Sequence, residues 1–174
     1  MSSGKFEIRA ATAGDREAIV ALLRNGWGGE TIVVHDTVYR PADLPAFVAV
    51  DGPDLVGLIT YEPGIESWHV LSLDSLVPGH GIGSSLLDRV ESAARSAGCL
   101  RITLVTTNDN LDAIRFYQRR GYRIASIDPG AVDRARQTKP SIPLIGCHGI
   151  PIQDELTMVK NLNRAESATS GGAA

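Results

Sequence analysis

The chain has 174 residues and a formal net charge of −3, with 43% hydrophobic and 21% charged residues. This composition is typical of one soluble globular domain, predicted over residues 1–163, and the charge gives no electrostatic reason to expect a nucleic-acid or membrane partner. Two cysteines and four scattered histidines indicate no disulfide framework and no metal site, and no apolar stretch approaches the ~20 residues of a membrane span. We therefore expect a cytoplasmic protein.

Strands and helices alternate in the first half of the chain. Residues 6–10 have strand alternation, and Thr12 can cap a helix that ends at the glycines around Trp27. Residues 31–34 fit either a short strand or a loop. Three further strands are predicted at residues 47–50, 55–61 and 67–73.

The second half begins with a long amphipathic helix, predicted over residues 82–97. Residues 128–154, rich in proline and glycine, read as a long connection, and the small polar residues 164–174 are predicted to be a disordered tail. The other predicted elements are a strand at 100–106, an Asn110-capped helix at 111–120, and strands at 122–127 and 156–160.

Three glycines at alternate positions precede the long helix, in the segment VPGHGIGSSLL at residues 77–87. Glycines at a helix start leave backbone N–H groups accessible, and the helix dipole favours an anion there, so the segment predicts a phosphate site. The spacing fits neither a P-loop nor a dinucleotide fingerprint, because no Lys-Ser or Lys-Thr follows and Ser84 or Leu86 occupies the third glycine position. A glycine-rich turn without a ligand is the alternative.

Two motifs together resemble the GNAT superfamily of N-acetyltransferases. Residues 79–87, GHGIGSSLL, are similar to its R/Q-x-x-G-x-G/A pyrophosphate loop, and residues 110–122, NLDAIRFYQRRGY, to its N-x-x-A-x-x-F-Y-x-x-x-G-F/Y stretch. The resemblance implies an α/β (α+β) fold whose mixed, mostly antiparallel sheet of six to seven strands is splayed between its fourth and fifth strands, with flanking helices. It also implies that an acetyl group passes from acetyl-CoA to a primary amine of a small molecule, by direct attack in a ternary complex.

The resemblance further implies which residues hold acetyl-CoA. Loop amides would bind the pyrophosphate, and the end of the preceding strand would pair with the pantetheine arm. Pro78 stands where the family has Arg or Gln, so we expect weaker binding, with His80 as a partial substitute. The predicted coenzyme-binding residues are Leu71, Ser72, Leu73, Gly79, His80, Gly81, Ile82, Gly83, Ser84 and Asn110.

Two groups are needed for proton transfer in such a reaction. Tyr117 matches the family's general acid, although it could be only a packing aromatic, and Asn110 could do no more than cap its helix. We predict Asp74 as the general base, because that residue lies where the strand should bulge toward the coenzyme. The candidates weighed against it are Glu62, Glu66 and His69.

The acceptor pocket is expected near the end of the first helix, where Trp27 and Glu30 would bind the amine and Tyr39 lies nearby. The alternative is that Trp27 fills the core. The stiff segment 139–152 would line the acceptor site or form a homodimer contact. Two other functions stay open: a non-catalytic acyl-CoA-binding or regulatory module, and a protein or peptide N-acetyltransferase.

Overall fold

The computed structural model describes residues 6–162, where four helices and nine strands form a mixed α+β unit. The predicted tail at 164–174 lies outside the described residues. The helices are α1 (Arg16–Trp27), α2 (Ile82–Ser96), α3 (Leu111–Gln118) and α4 (Ala131–Thr138). The strands are β1 (Glu7–Ala10), β2 (Ile32–Val34), β3 (Thr37–Tyr39), β4 (Ala46–Asp51), β5 (Asp54–Glu62), β6 (Ser67–Ser75), β7 (Arg101–Thr107), β8 (Arg123–Asp128) and β9 (Glu155–Asn161).

Seven strands form one sheet in the order β1-β4-β5-β6-β7-β9-β8. The β6–β7 pair is parallel and the other five pairs are antiparallel, which confirms the predicted mixed, mostly antiparallel sheet. Strands β2 and β3 form a separate hairpin. The segment at residues 31–34, which the sequence left undecided, is therefore mostly strand.

The sheet opens between its fourth and fifth strands, as predicted. Strands β6 and β7 pair only from Ser67 to Val70 and from Arg101 to Leu104. At the same point the register between β5 and β6 shifts, which leaves Leu71 as an extra residue in β6. A bulge bends a strand, so it accounts for the divergence of β6 from β7. The expected bulge near Asp74 thus lies three residues earlier.

Helices α1 and α2 cover opposite faces of the sheet. Leu86, Leu87 and Val90 of α2 are fully buried in a cluster with one set of strand residues. Leu23 of α1 is fully buried in a second cluster that contains Val48 and other strand residues. Since alternate residues of a strand face opposite sides, this division fixes the register of the central strands. No helix within residues 6–162 is long and apolar enough to cross a membrane.

Helix α4 corrects the prediction of an irregular connection over residues 128–154. Its Ala131, Val132 and Ala135 are buried at helical spacing, but the helix has only eight residues. It begins after Gly130, whose N–H donates to the Asp154 carboxylate at 2.9 Å. That partner lies 24 residues away, so the contact could not be read from local sequence.

Candidate active site

The divergence of β6 and β7 leaves a cavity of about 100 Å³ in the sheet. The edge of β6 that faces this cavity has no strand partner after Val70, so its backbone groups can bind a ligand with amide bonds. The cavity is lined by Trp27, Val70, Leu71, Ser72, Leu73, Leu104, Val105, Thr106, Asn110, Ala113 and Tyr117. The structure thus brings together the predicted residues of β6, Asn110 and Tyr117.

Tyr117 both packs in the core and lines the cavity. Its ring contacts the rings of Phe116 and Tyr122 edge-on, at centroid distances of 5.1 and 5.6 Å. Burial raises the pKa of its phenol, the charge of Asp74 raises it further, and Arg120 lowers it. The phenol is therefore protonated at neutral pH and can donate a proton into the cavity.

Asn110 caps α3 and also lies at the cavity wall. Its side-chain oxygen accepts a hydrogen bond from the Ala113 N–H at 3.1 Å, which satisfies one of the free donors at the helix start. Capping of α3 is thus observed, and it holds Tyr117, almost two turns later, at the same cavity.

Asp74 lies at the end of β6, where the Trp27 indole holds it. The indole N–H lies 3.1 and 3.2 Å from the two carboxylate oxygens. Burial raises the pKa of Asp74 to about 6, while the indole hydrogen bond opposes that rise. A carboxylate with a pKa near 6 is ionised at neutral pH and is a stronger base than an ordinary aspartate.

None of the four base candidates lines either cavity, but Asp74 contacts Trp27, which lines both. Glu62 is exposed, and the exposed Glu66 lies 3.6 Å from Arg101. His69 Nδ1 lies 2.9 Å from the Thr103 hydroxyl, and burial, with a contribution from His35, lowers the His69 pKa to about 4. His69 is therefore neutral at pH 7 and directed to β7.

The glycine loop has the geometry that a phosphate site requires. Gly79 and Gly81 have φ values of 79° and 73°, which favour glycine, and the Cα of each faces open space. Gly81 precedes α2, so the N–H groups of residues 82–84 lie in the first turn, where a helix has no internal partner for them. His80 is exposed, and its Nδ1 lies 2.9 Å from the Pro78 carbonyl oxygen.

A second, larger cavity of about 460 Å³ adjoins the first. Trp27 lines both, so the two cavities meet at this residue. The larger cavity is lined by Gly26, Trp27, Gly28, Val33, Thr107, Val132, Ala135, Lys139, Ser141, Ile142, Pro143, Ile152 and Glu155. Sequence reasoning missed Glu155, because it belongs to no recognisable motif, and it included Lys139 only as the first residue of segment 139–152.

Glu30 is not brought to either cavity, unlike its predicted companion Trp27. Its carboxylate accepts hydrogen bonds from Arg24 at 2.5 and 3.0 Å and is 38% exposed. The role of Glu30 in binding an amine stays a prediction, and in this structure its carboxylate is paired with Arg24.

Segment 139–152 closes the larger cavity and is tied to the loop after β7. The buried Asp109 accepts hydrogen bonds from the Cys147 N–H at 2.8 Å and the Thr107 hydroxyl at 2.5 Å. Lys139 donates to the carbonyl oxygens of Trp27 and Thr31, both at 2.6 Å. These contacts hold the segment against α1 and the loop after β7, where its residues line the larger cavity.

His35, Asp128 and Glu155 form a cluster that the sequence did not indicate, with candidate ligand atoms within 4.8 Å of one another. His35 Nδ1 lies 3.1 Å from Glu155, while Asp128 pairs with Arg134 at 2.7 Å. These partners tie the β2–β3 hairpin to β8 and β9.

Solved acetyltransferase structures share this fold. The IAA acetyltransferase from Bacillus cereus ATCC 14579 superposes with a TM-score of 0.70 at 22% identity, covering 90% of this chain and 99% of that one. A GNAT family acetyltransferase from Elizabethkingia anophelis with acetyl-CoA bound has a TM-score of 0.64 at 17% identity, covering 90% and 97%. The putative acetyltransferase yncA from Salmonella typhimurium, with its cofactor acetyl-CoA, has a TM-score of 0.65 at 16% identity, covering 95% and 98%.

Two sequence relatives share a larger fraction of identical residues with this chain. YdhI of Bacillus subtilis (strain 168), an uncharacterized protein, is 42% identical over 135 residues, which cover 77% of this chain and 84% of YdhI. YxbD of the same strain, also uncharacterized, is 39% identical over 148 residues, covering 84% and 93%. The model of the acetyltransferase (GNAT) family matches residues 18–122, more than half of the chain and both predicted motifs. With an opened sheet, a glycine loop at a helix start and this match, the chain belongs to the GNAT family of acetyltransferases and is an acyltransferase.

Proposed function

We propose that the protein transfers the acetyl group of acetyl-CoA to a primary amine of a small molecule, by direct attack in a ternary complex. The observation that carries this proposal is that Trp27 lines both cavities. One cavity has the free edge of β6 and Tyr117, and the other is a separate pocket of about 460 Å³. Two ligands bound in adjoining cavities would meet at the indole.

The coenzyme would bind along the smaller cavity. Its pyrophosphate would accept hydrogen bonds from the N–H groups at the start of α2, and its pantetheine amides would pair with β6 at Leu71–Leu73. The fit is supported by the unpaired edge of β6 and by the open space at Gly79 and Gly81. Two proteins of the same fold, from Elizabethkingia anophelis and Salmonella typhimurium, hold acetyl-CoA.

Asp74 and Tyr117 would move the two protons of the reaction. Asp74, directly or through water, accepts a proton from the attacking amine as the N–C bond forms at the thioester carbonyl. Tyr117 donates its proton to the sulfur as the C–S bond breaks. The raised pKa of Asp74 suits its role, because its carboxylate is ionised at neutral pH yet more basic than an ordinary aspartate, and the phenol of Tyr117 is protonated at that pH.

A small acceptor is favoured over an extended peptide. Segment 139–152 contributes residues Ser141, Ile142 and Pro143 to the larger cavity and is held down by Asp109 and Lys139. A peptide substrate would need an open groove at this position. The lining is mainly apolar, so the acceptor would be an amine with an apolar body.

The test is a thiol-release assay with acetyl-CoA and a panel of small amines, amino acids and peptides. We expect turnover with small amines, and a loss of about 10²- to 10⁴-fold in kcat/KM for Asp74→Asn. Turnover with peptides alone would mean that the acceptor is a peptide and not a small molecule. Binding of coenzyme A without turnover of any acceptor would favour the non-catalytic acyl-CoA-binding module.

A homodimer is a further proposal. Edge strand β8 exposes Ile124 and Ile127, and segment 139–152 exposes Leu144 and Ile145, with exposed fractions between 42% and 70%. Contiguous exposed apolar patches commonly mark protein contacts, and the proposal takes these four side chains as one such patch. Sedimentation at micromolar concentration would give a dimer, and a single monomeric species would contradict it.

A further inference from the structure

The start of α2 is approached by an arginine from a distant part of the chain. Arg120 lies just after α3, and its guanidinium donates a hydrogen bond to the Ser84 hydroxyl, 36 positions earlier. Ser84 is the third residue of α2, within the turn whose N–H groups would bind the pyrophosphate.

The arginine is held in place by an aromatic ring. Its Cζ lies 3.6 Å from the ring centre of Phe116, and one guanidinium nitrogen donates to the Phe116 carbonyl oxygen at 3.1 Å. The same ring lies against Gly83, where an added Cβ would be 3.7 Å from it. Phe116 therefore links the guanidinium to the glycine loop and reduces its freedom before any ligand binds.

The charge of Arg120 has no carboxylate partner in the part of the chain that the structure describes. Arg95 and Lys160, in contrast, both pair with Glu91, at 3.2 and 2.7 Å. A guanidinium beside the positive end of a helix dipole is unfavourable alone, and an anion between them removes the conflict.

We propose that Arg120 is the cation that binds the coenzyme's pyrophosphate, in place of the residue lost at Pro78. This inference rests on the proposed use of a coenzyme A thioester. Arginine stays charged at all physiological pH values and can donate two parallel hydrogen bonds to phosphate oxygens. His80, the substitute expected from sequence, is exposed and its Nδ1 lies near the Pro78 carbonyl.

The test compares Arg120→Gln and Arg120→Lys with the matched control Arg119→Gln, which alters the adjacent exposed arginine. Calorimetry gives the Kd of coenzyme A, of dephospho-coenzyme A, which keeps the pyrophosphate, and of pantetheine, which lacks it. We expect Arg120→Gln to weaken the binding of both nucleotide ligands about 10- to 100-fold, which is the range of one charged hydrogen bond. The affinity for pantetheine should not change. Arg120→Lys should retain most of the affinity, and the control should bind like the wild type.

Three results separate the explanations. Unchanged affinity of Arg120→Gln for both nucleotide ligands would overturn the inference while leaving the coenzyme proposal intact. Weaker binding of coenzyme A with unchanged binding of dephospho-coenzyme A would also overturn the inference, because Arg120 would then contact the 3′-phosphate. Absence of coenzyme A binding by the wild-type protein would instead remove the proposed function itself. If Arg120→Gln does not fold, the double variant Pro78→Arg with Arg120→Lys is measured instead. It should bind coenzyme A at least as tightly as the wild type does. Weaker binding of coenzyme A would count against the inference.

Discussion

The Trp27 indole N–H hydrogen-bonds the Asp74 carboxylate, with its nitrogen 3.1 and 3.2 Å from the two oxygens. The two residues lie 47 positions apart, one at the end of α1 and the other near the end of β6. Trp27 therefore does more than line two cavities, because it orients the proposed base and opposes the effect of burial on its pKa.

Replacing Trp27 by Phe should move the acidic limb of the pH profile. The variant keeps an aromatic ring but loses the hydrogen bond that stabilises the ionised carboxylate, so the pKa of Asp74 rises above about 6. The measurement is kcat/KM against pH, in which the acidic limb should shift to higher pH. A lower plateau with an unshifted limb would mean that Trp27 acts only on acceptor binding.

The ionised Asp74 should lower the free energy of unfolding at neutral pH. Its folded pKa of about 6 exceeds the ordinary 3.8, so the native state holds the proton more tightly and the stabilisation present at low pH is lost between about pH 4 and 6. We expect Asp74→Asn to be more stable than wild type at pH 8, by up to about 3 kcal/mol. Urea unfolding at pH 4 and pH 8 measures this, and a difference independent of pH would contradict the assignment.

Tyr117→Phe should separate catalysis from binding. The ring keeps its contacts with Phe116 and Tyr122, but the proposed donor is lost, so kcat should fall by about 10²-fold or more. The Kd of acetyl-CoA should stay close to that of wild type. Tyr122→Phe is the control: its hydroxyl donates to Glu91 at 3.1 Å and its side chain does not line the cleft cavity. Equal loss of kcat in both variants would count against a general acid.

Gly57→Ala should weaken the packing of α2 on the sheet. An added Cβ would lie 2.5 Å from Cγ2 of Ile82 and 3.1 Å from the Asp74 carbonyl oxygen, so α2 must shift. We expect a loss of about 1–3 kcal/mol in the free energy of unfolding, together with weaker coenzyme binding because Ile82 begins α2. Gly14→Ala is the control, since its nearest atom would be 3.6 Å away. Equal stability of the two variants in urea would contradict the close approach.

Asp109→Ala should loosen the wall of the larger cavity. The substitution removes the acceptor for the Cys147 N–H and the Thr107 hydroxyl, so segment 139–152 loses an anchor. The KM of the acceptor should rise about tenfold or more, while the Kd of coenzyme A changes little. Steady-state kinetics with the best acceptor would measure this against Asp88→Ala, an exposed residue of α2. A larger effect on coenzyme binding would show that Asp109 supports the cleft instead.

The sequence by itself determined the features that depend on neighbours in the chain. The alternate glycines, the Asn110 cap and the periodicity of α2 and α3 are local, so most of the elements and the glycine loop were predictable, whereas α4 was not. The tertiary structure decided which distant side chains meet. Asp74 contacts Trp27, 47 positions away, and Arg120 contacts Ser84, 36 positions away. The bulge at Leu71 and the packing of α1 and α2 on opposite faces of the sheet position these residues. No local pattern encodes such contacts, since each depends on how several elements pack together.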